Sequence, residues 1–162
     1  MKTSVFSVPQ NSSFQPEHRN ADDPFEVMRN CFSVASESEK KFKEGLAFLQ
    51  TQLKNNPQNI IWQTYQAAFK TIEAQYTYFP LDKLRKATEG LNLLDRLVSQ
   101  NPANIEARFI RMAVLHRLPS LFGKKSEAIS EARRISQEIT NAQISESLRN
   151  YIQEFIKHAQ SR

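Results

Sequence analysis

Two arginines on one predicted helix are the strongest candidates for binding chemistry in this sequence. Arg108 and Arg111 are three residues apart, so both guanidinium groups share one stripe of a helix, where they can hold carboxylates or carbonyls. A shift of the sequence by 45 residues places Gln63 and Gln66 at the same positions, and Lys70 continues their stripe. We therefore predict one polar binding strip formed by Gln63, Gln66, Lys70, Arg108 and Arg111.

The same two arginines have an alternative role inside the chain. Acidic residues at other positions can pair with them, and the candidates are Glu106, Glu73 and Asp95. In that case the arginines hold helices together and the strip is structural. The sequence alone leaves both roles open.

Residues for catalysis or metal binding are sparse. Three glycines are too few for a phosphate-cradling or dinucleotide-binding loop. The three histidines have no partner at metal-binding spacing, so His116 is expected to have a core role. The single cysteine, Cys31, is expected to be structural rather than nucleophilic. We predict that the protein is not an enzyme and needs no cofactor or metal.

Aromatic residues crowd into one predicted helix. On a helical wheel Tyr65, Phe69, Tyr76 and Phe79 form one apolar arc, which predicts a core face, whereas Tyr78 falls off the arc and is expected to be exposed. The alternative is a small-molecule or lipid pocket, which predicts an unfilled cavity beside Tyr65, Phe69 and Tyr76.

Net charge gives a weaker indication of function. The chain carries +5, all of it in the second half, where 14 basic side chains face 9 acidic ones. The basic residues alternate with glutamates at spacings typical of solvated helix faces, and no stacking aromatic residues lie among them. The pattern argues against nucleic-acid binding, which stays a third and weaker hypothesis.

The elements that must position these residues are all helical by pattern. Apolar residues recur at steps of three and four from Ser36 to Ile156, with no strand alternation. The pattern predicts helices at about 36–55, 58–78, 82–100, 103–118, 124–140 and 143–159, with a short leading helix capped by Asp22 or Asp23. We expect a flexible tail over residues 1–23 and one helical-repeat domain over 24–162.

An internal repeat is the most specific pattern in the chain. Glu44-Gly45-Leu46 aligns with Glu89-Gly90-Leu91, and Asn56-Pro57-Gln58-Asn59-Ile60 aligns with Asn101-Pro102-Ala103-Asn104-Ile105, both at a shift of 45 residues. Fixed-period similarity of this kind marks stacked helical units. Gly90, Leu94, Leu97 and Pro102 resemble the end of a tetratricopeptide repeat. The resemblance implies about three antiparallel helix pairs in a right-handed superhelix.

A narrower likeness is carried by Asn104-Ile105-Glu106-Ala107-Arg108-Phe109-Ile110-Arg111 and by Leu118-Pro119-Ser120-Leu121-Phe122-Gly123. These stretches resemble small bacterial helical proteins to which no activity is assigned.

The expected function is that of an interaction protein. We predict a non-enzymatic adaptor or scaffold module that binds a protein or peptide along a concave face, and a homodimer is a further possibility. No apolar run is long enough for a signal peptide or a membrane span, so we expect a cytoplasmic protein without membrane contact.

Overall fold

The computed structural model describes residues 23–161, and this part of the chain is all-helical, with no strand. The all-α prediction is confirmed. Three single 3₁₀ turns accompany the α-helices, at Ala74–Tyr76, Ser120–Phe122 and Ile139–Asn141. The α-helices are α1 (Pro24–Val34), α2 (Glu39–Asn55), α3 (Ile60–Glu73), α4 (Pro80–Gln100), α5 (Ile105–Arg117), α6 (Lys125–Glu138) and α7 (Glu146–Gln160). The predicted tail, apart from Asp23, lies outside the described residues.

The first helix begins where the sequence predicts it. Asp23 is the N-cap of α1, and its carboxylate accepts a hydrogen bond of 2.9 Å from the amide of Phe25. Pro24 occupies the first helical turn, where the amide hydrogen that it lacks has no partner in any case. The predicted leading helix is therefore confirmed, with Asp23 rather than Asp22 as its cap.

The two prolyl turns, between α2 and α3 and between α4 and α5, have the same conformation. Asn56 has φ −138° and ψ 65°, and Asn101 has φ −134° and ψ 57°. Three residues later, Asn59 and Asn104 each donate an amide hydrogen bond back to those asparagines, over 3.2 Å and 3.0 Å. The side chains of Asn59 and Asn104 then cap the helices that follow. The self-similarity at 45 residues thus corresponds to two turns of equal geometry.

The end of α3 differs from the prediction. The helix predicted over 58–78 ends at Glu73 and continues only as a 3₁₀ turn. Pro80 restricts the preceding Phe79 to an extended conformation, with φ −83° and ψ 132°. Phe79 is therefore the N-cap of α4 and is 63% exposed, so its assignment to the core arc is wrong.

The other aromatic residues of this segment differ in their burial. Tyr65 and Phe69 are buried, as the apolar arc predicts, Tyr76 is half-buried against the core, and Tyr78 is exposed, as predicted. Trp62 is buried and stacks on Phe25 of α1, with ring centroids 4.4 Å apart. The aromatic face of α3 therefore packs against α1.

The fifth helix forms the centre of the described fold. Ten of its thirteen residues are buried, and it contacts α3, α4, α6 and α7. A helix that is hydrophobic on nearly all sides is buried when other helices pack around it. Polar side chains on α5 must consequently find their partners on neighbouring helices.

A glycine allows α3 and α4 to approach closely. A Cβ atom on Gly90 would lie 2.8 Å from the amide nitrogen of Thr71 and 2.9 Å from the carbonyl oxygen of Ala67. Both atoms belong to the backbone of α3, so no side-chain movement can make room. Gly90 fixes the distance between the two helices.

We predict that Gly90→Ala destabilises the fold. Separating two packed backbones costs about 1–3 kcal/mol, which outweighs the gain of about 1 kcal/mol in helix propensity. Circular dichroism should show a clear decrease in the midpoint of thermal unfolding. Asn92→Ala is the control, because Asn92 is exposed on the same helix and its replacement changes helix propensity without touching the contact between α3 and α4. A G90A variant that unfolds at the same temperature as N92A would contradict this account of the packing.

Candidate functional site

The three predicted strip residues on α3 have different surroundings. The Gln63 side-chain amide donates a hydrogen bond of 2.8 Å to the carbonyl oxygen of Pro57. Gln66 is exposed. The ammonium group of Lys70 lies 2.6 Å from the Glu89 carboxylate on α4. Two of the three side chains are therefore used within the chain.

Arg108 is directed at α6. Its guanidinium group donates hydrogen bonds of 2.6 Å to Glu131 and 2.5 Å to Glu138. The hydrogen bond from Arg108 holds the pKa of the Glu138 carboxyl below its ordinary value of 4.5. The Arg108 side chain is buried, so this ion pair forms part of the contact between α5 and α6.

Arg111 joins three helices. Its guanidinium group donates to Asp95 on α4 over 2.6 Å and to Glu127 on α6. Hydrogen bonds from Lys124 and from Arg111 lower the pKa of the Glu127 carboxyl. Of the three acids that the sequence analysis considers as internal partners, Asp95 therefore pairs with Arg111.

The other two candidate acids have different partners. Glu73 accepts a hydrogen bond of 2.6 Å from Lys86. Glu106 accepts one of 3.2 Å from Arg29 of α1 and one of 3.1 Å from the Tyr65 hydroxyl. The two arginines therefore pair with acids on α4 and α6, and the sequence alone does not single out Glu127, Glu131 or Glu138.

A buried polar cluster joins side chains from α1, α3, α5 and α7. Arg29 is buried on α1 and bonds Glu106 on α5, while the Tyr151 hydroxyl of α7 donates to the Arg29 carbonyl oxygen over 3.3 Å. Burial raises the pKa of the Glu106 carboxyl, against the opposing effect of Arg29. The first and last helices are thereby tied to the centre of the fold.

The strip residues therefore fall into two groups. Among the hydrogen bonds and ion pairs of residues 23–161, none joins the three α3 residues to the two arginines. The binding role of the strip stays a prediction. Of its five side chains, only that of Gln66 forms no hydrogen bond or ion pair with a described residue.

The two residues considered for catalysis each lie against another helix. Cys31 is half-buried against α2. Burial raises the pKa of its thiol, and the negative charge of the nearby Glu44 raises it further. The His116 ring lies edge-on to Phe155, with centroids 6.2 Å apart. Among the described residues, no group of three His, Cys, Asp or Glu side chains could hold a metal ion. Nor does any described helix have the length and apolar character needed to cross a membrane.

An apolar cleft opens at the far end of α5. Its volume is about 710 Å³, and it lies between the first turns of α4, the last turn of α5 and the 3₁₀ turn at Ser120–Phe122. We call it the α4–α5 cleft. Its apolar lining includes Ile72, Pro80, Leu84, Ala87, Leu118 and Leu121. The space predicted beside Tyr65 and Phe69 is instead filled by Phe32 and Phe42.

Large apolar side chains surround the mouth of the α4–α5 cleft. Leu121 is 78% exposed and Leu84 is 49% exposed, and both belong to the lining. Leu81 adjoins the lining residue Pro80 and is 81% exposed. Phe79 and Tyr78 precede it and are also exposed. The start of α4 therefore carries exposed apolar side chains both in the cleft lining and outside it.

Two basic side chains give the α4–α5 cleft its charge. Lys83 lines it from α4 and Arg117 lines it from α5. Burial lowers the pKa of Arg117 to about 10, which leaves the guanidinium group charged at neutral pH. Arg117 donates a hydrogen bond to the side-chain oxygen of Gln75. None of the described lining residues is an aspartate or a glutamate.

Sequence reasoning missed this cleft because residues from separate helix ends form its lining. Leu81 and Leu84 are both exposed in the first turns of α4, although leucines of an amphipathic helix normally face the core. The pair could have drawn attention to α4. The contribution of Arg117 and Leu121 depends on how α5 meets α4, which no spacing in the sequence reveals.

Comparisons with known proteins find no match: no family model matches the chain, and neither the search of curated proteins nor that of solved structures finds a similar chain.

We predict that Arg108→Ala lowers stability, because it leaves the carboxylate of Glu131 nearly buried without its partner. The expected loss is about 2 kcal/mol in the free energy of unfolding by urea. Lys40→Ala is the control, since its pair with Glu44 is exposed and such pairs contribute little. If R108A and K40A unfold at the same urea concentration, the ion pair does not hold α5 to α6.

Proposed function

We propose that this protein is a non-enzymatic interaction module that binds an apolar segment of a partner protein in the α4–α5 cleft. The carrying observation is that the lining of an apolar cavity includes two largely exposed leucines, Leu84 and Leu121, with Leu81 and Phe79 also exposed at the start of α4. Exposed apolar surface of this kind is typical of protein-binding sites, because removing it from water lowers the free energy of the complex. A cytoplasmic location, as expected for a chain with one cysteine, belongs to the same proposal.

We also propose that the helices form antiparallel pairs in the manner of tetratricopeptide repeats. The equal geometry of the turns at Asn56 and Asn101 supports this arrangement. So does the equivalence of Gly45 and Gly90, because a Cβ atom at either position would meet neighbouring atoms at 3.0 Å or less. In such an array a binding surface at one end of α3 and α5 lies between successive pairs.

The shape of the α4–α5 cleft favours a helical or extended protein segment. Its α4 wall carries Pro80, Lys83, Leu84 and Ala87, which span two helical turns, or about 10 Å. An amphipathic segment uses apolar side chains at similar spacing to fill a groove of this kind. Leu81 and Phe79 outside the cavity would cover the flanks of the same segment.

A small apolar molecule is the second candidate occupant. The cleft volume of about 710 Å³ is within the range of small-molecule sites, about 300–1,000 Å³. A ligand confined to the cavity would, however, leave Leu81 and the neighbouring aromatic residues uncovered. The exposed rim therefore favours the protein segment.

A test starts from peptides displayed on phage and enriched on the wild-type protein. We expect that Leu84→Glu weakens the binding of enriched peptides at least about tenfold, because it places a charge where apolar side chains must pack. Fluorescence anisotropy with labelled peptides measures the change. Circular dichroism checks that the variant is folded, which its half-exposed position favours.

Ile129→Glu is the matched control. Ile129 is also a large, partly exposed apolar residue, 42% exposed, but it lies on α6 and does not line the α4–α5 cleft. The proposal expects I129E to bind the peptides like the wild type. Equal binding by L84E and the wild type would refute it.

A further inference from the structure

The cations at the start of α4 differ in how they are paired. Arg85 forms ion pairs with Asp82 and Glu89, and Lys86 pairs with Glu73. Lys83 is exposed, lines the α4–α5 cleft, and forms no ion pair with a described residue. Unlike Arg85 and Lys86, Lys83 therefore has a charge that is available to a ligand.

Arg117 adds a second positive charge to the opposite wall. It reaches the cleft from the last turn of α5, and its guanidinium group donates to the neutral side chain of Gln75. A charged group in such apolar surroundings acts through a lower effective dielectric than one in open water. The α4–α5 cleft therefore combines apolar walls with positive potential and no acidic lining among the described residues.

We propose that the segment bound in the α4–α5 cleft carries an acidic side chain, held by Lys83, beside apolar side chains that fill the cavity. This inference rests on the proposed function and specifies the chemistry of its partner. An acidic residue matches the positive charge of Lys83, whereas a basic residue would be repelled by it.

The geometry also restricts where the acidic residue stands. Lys83 and Leu84 are neighbours on α4 and both line the cleft, so charge and apolar contact lie within one helical turn of each other. In a helical partner, the acidic side chain would stand three or four residues from an apolar one. The apolar contacts supply most of the affinity, and the charge selects among apolar segments.

The test uses two populations of displayed peptides, enriched on the wild-type protein and on Lys83→Glu. We expect an acidic residue three or four positions from a leucine, isoleucine or phenylalanine in the wild-type population. A synthetic peptide from that population should lose about tenfold in affinity for K83E. The same peptide with its acidic residue changed to lysine should bind K83E better than it binds the wild type.

Lys54→Glu is the charge control. Lys54 is exposed in the last turn of α2, forms no ion pair with a described residue, and does not line the cleft, while the substitution changes the net charge equally. We expect K54E to bind the acidic peptide within about twofold of the wild type. An equal loss in K54E and K83E would show general electrostatic attraction and overturn the inference.

The outcomes separate this inference from the proposed function. Enriched peptides that need Leu84 but carry no acidic residue would overturn the inference and leave the proposed function standing. An absence of peptides that need Leu84 would overturn both. Dodecanoate, an alkyl carboxylate, serves as the probe for the lipid alternative: binding that is lost in L84E, without any peptide binding, would replace both proposals.

Discussion

The burial of α5 on nearly all sides is the constraint on which the rest of the structure depends. A buried charge is costly unless a partner satisfies it, so the charged side chains in the buried part of this helix, before Leu115, must be paired within the fold. Glu106 meets Arg29, Arg108 meets acids on α6, and Arg111 meets acids on both α4 and α6. The polar groups of α5 therefore contribute to orienting its neighbours.

The same constraint explains where an open surface remains. Burial of α5 stops after Leu115, and Pro119 prevents the helix from continuing beyond Leu118. On the neighbouring helices, α3 ends in a 3₁₀ turn, and α4 starts at Pro80 after the extended residue Phe79. The ends of three helices thus leave a space that their side chains line without filling, and this space is the α4–α5 cleft.

Local signals in the sequence predicted the local structure well. The Asn-Pro turns and the Asp23 cap depend on residues within a few positions of one another, which spacing can show. Contacts between distant segments could not be predicted in this way. Arg29 and Glu106 are 77 residues apart, and Phe79 left the predicted core because the proline after it changed the path of the chain. The candidate cleft was missed for the same reason, since it is built from three separate helix ends.

Nuclear magnetic resonance can compare the two candidate binding surfaces in one experiment. An isotope-labelled chain is titrated with a peptide enriched on the wild-type protein, and the backbone amide and leucine methyl resonances are followed. The account predicts that Leu84, Leu118 and Leu121 shift while the amides of Gln63, Gln66 and Lys70 keep their positions. Shifts centred on those three α3 residues, with Leu84 and Leu121 unchanged, would contradict it.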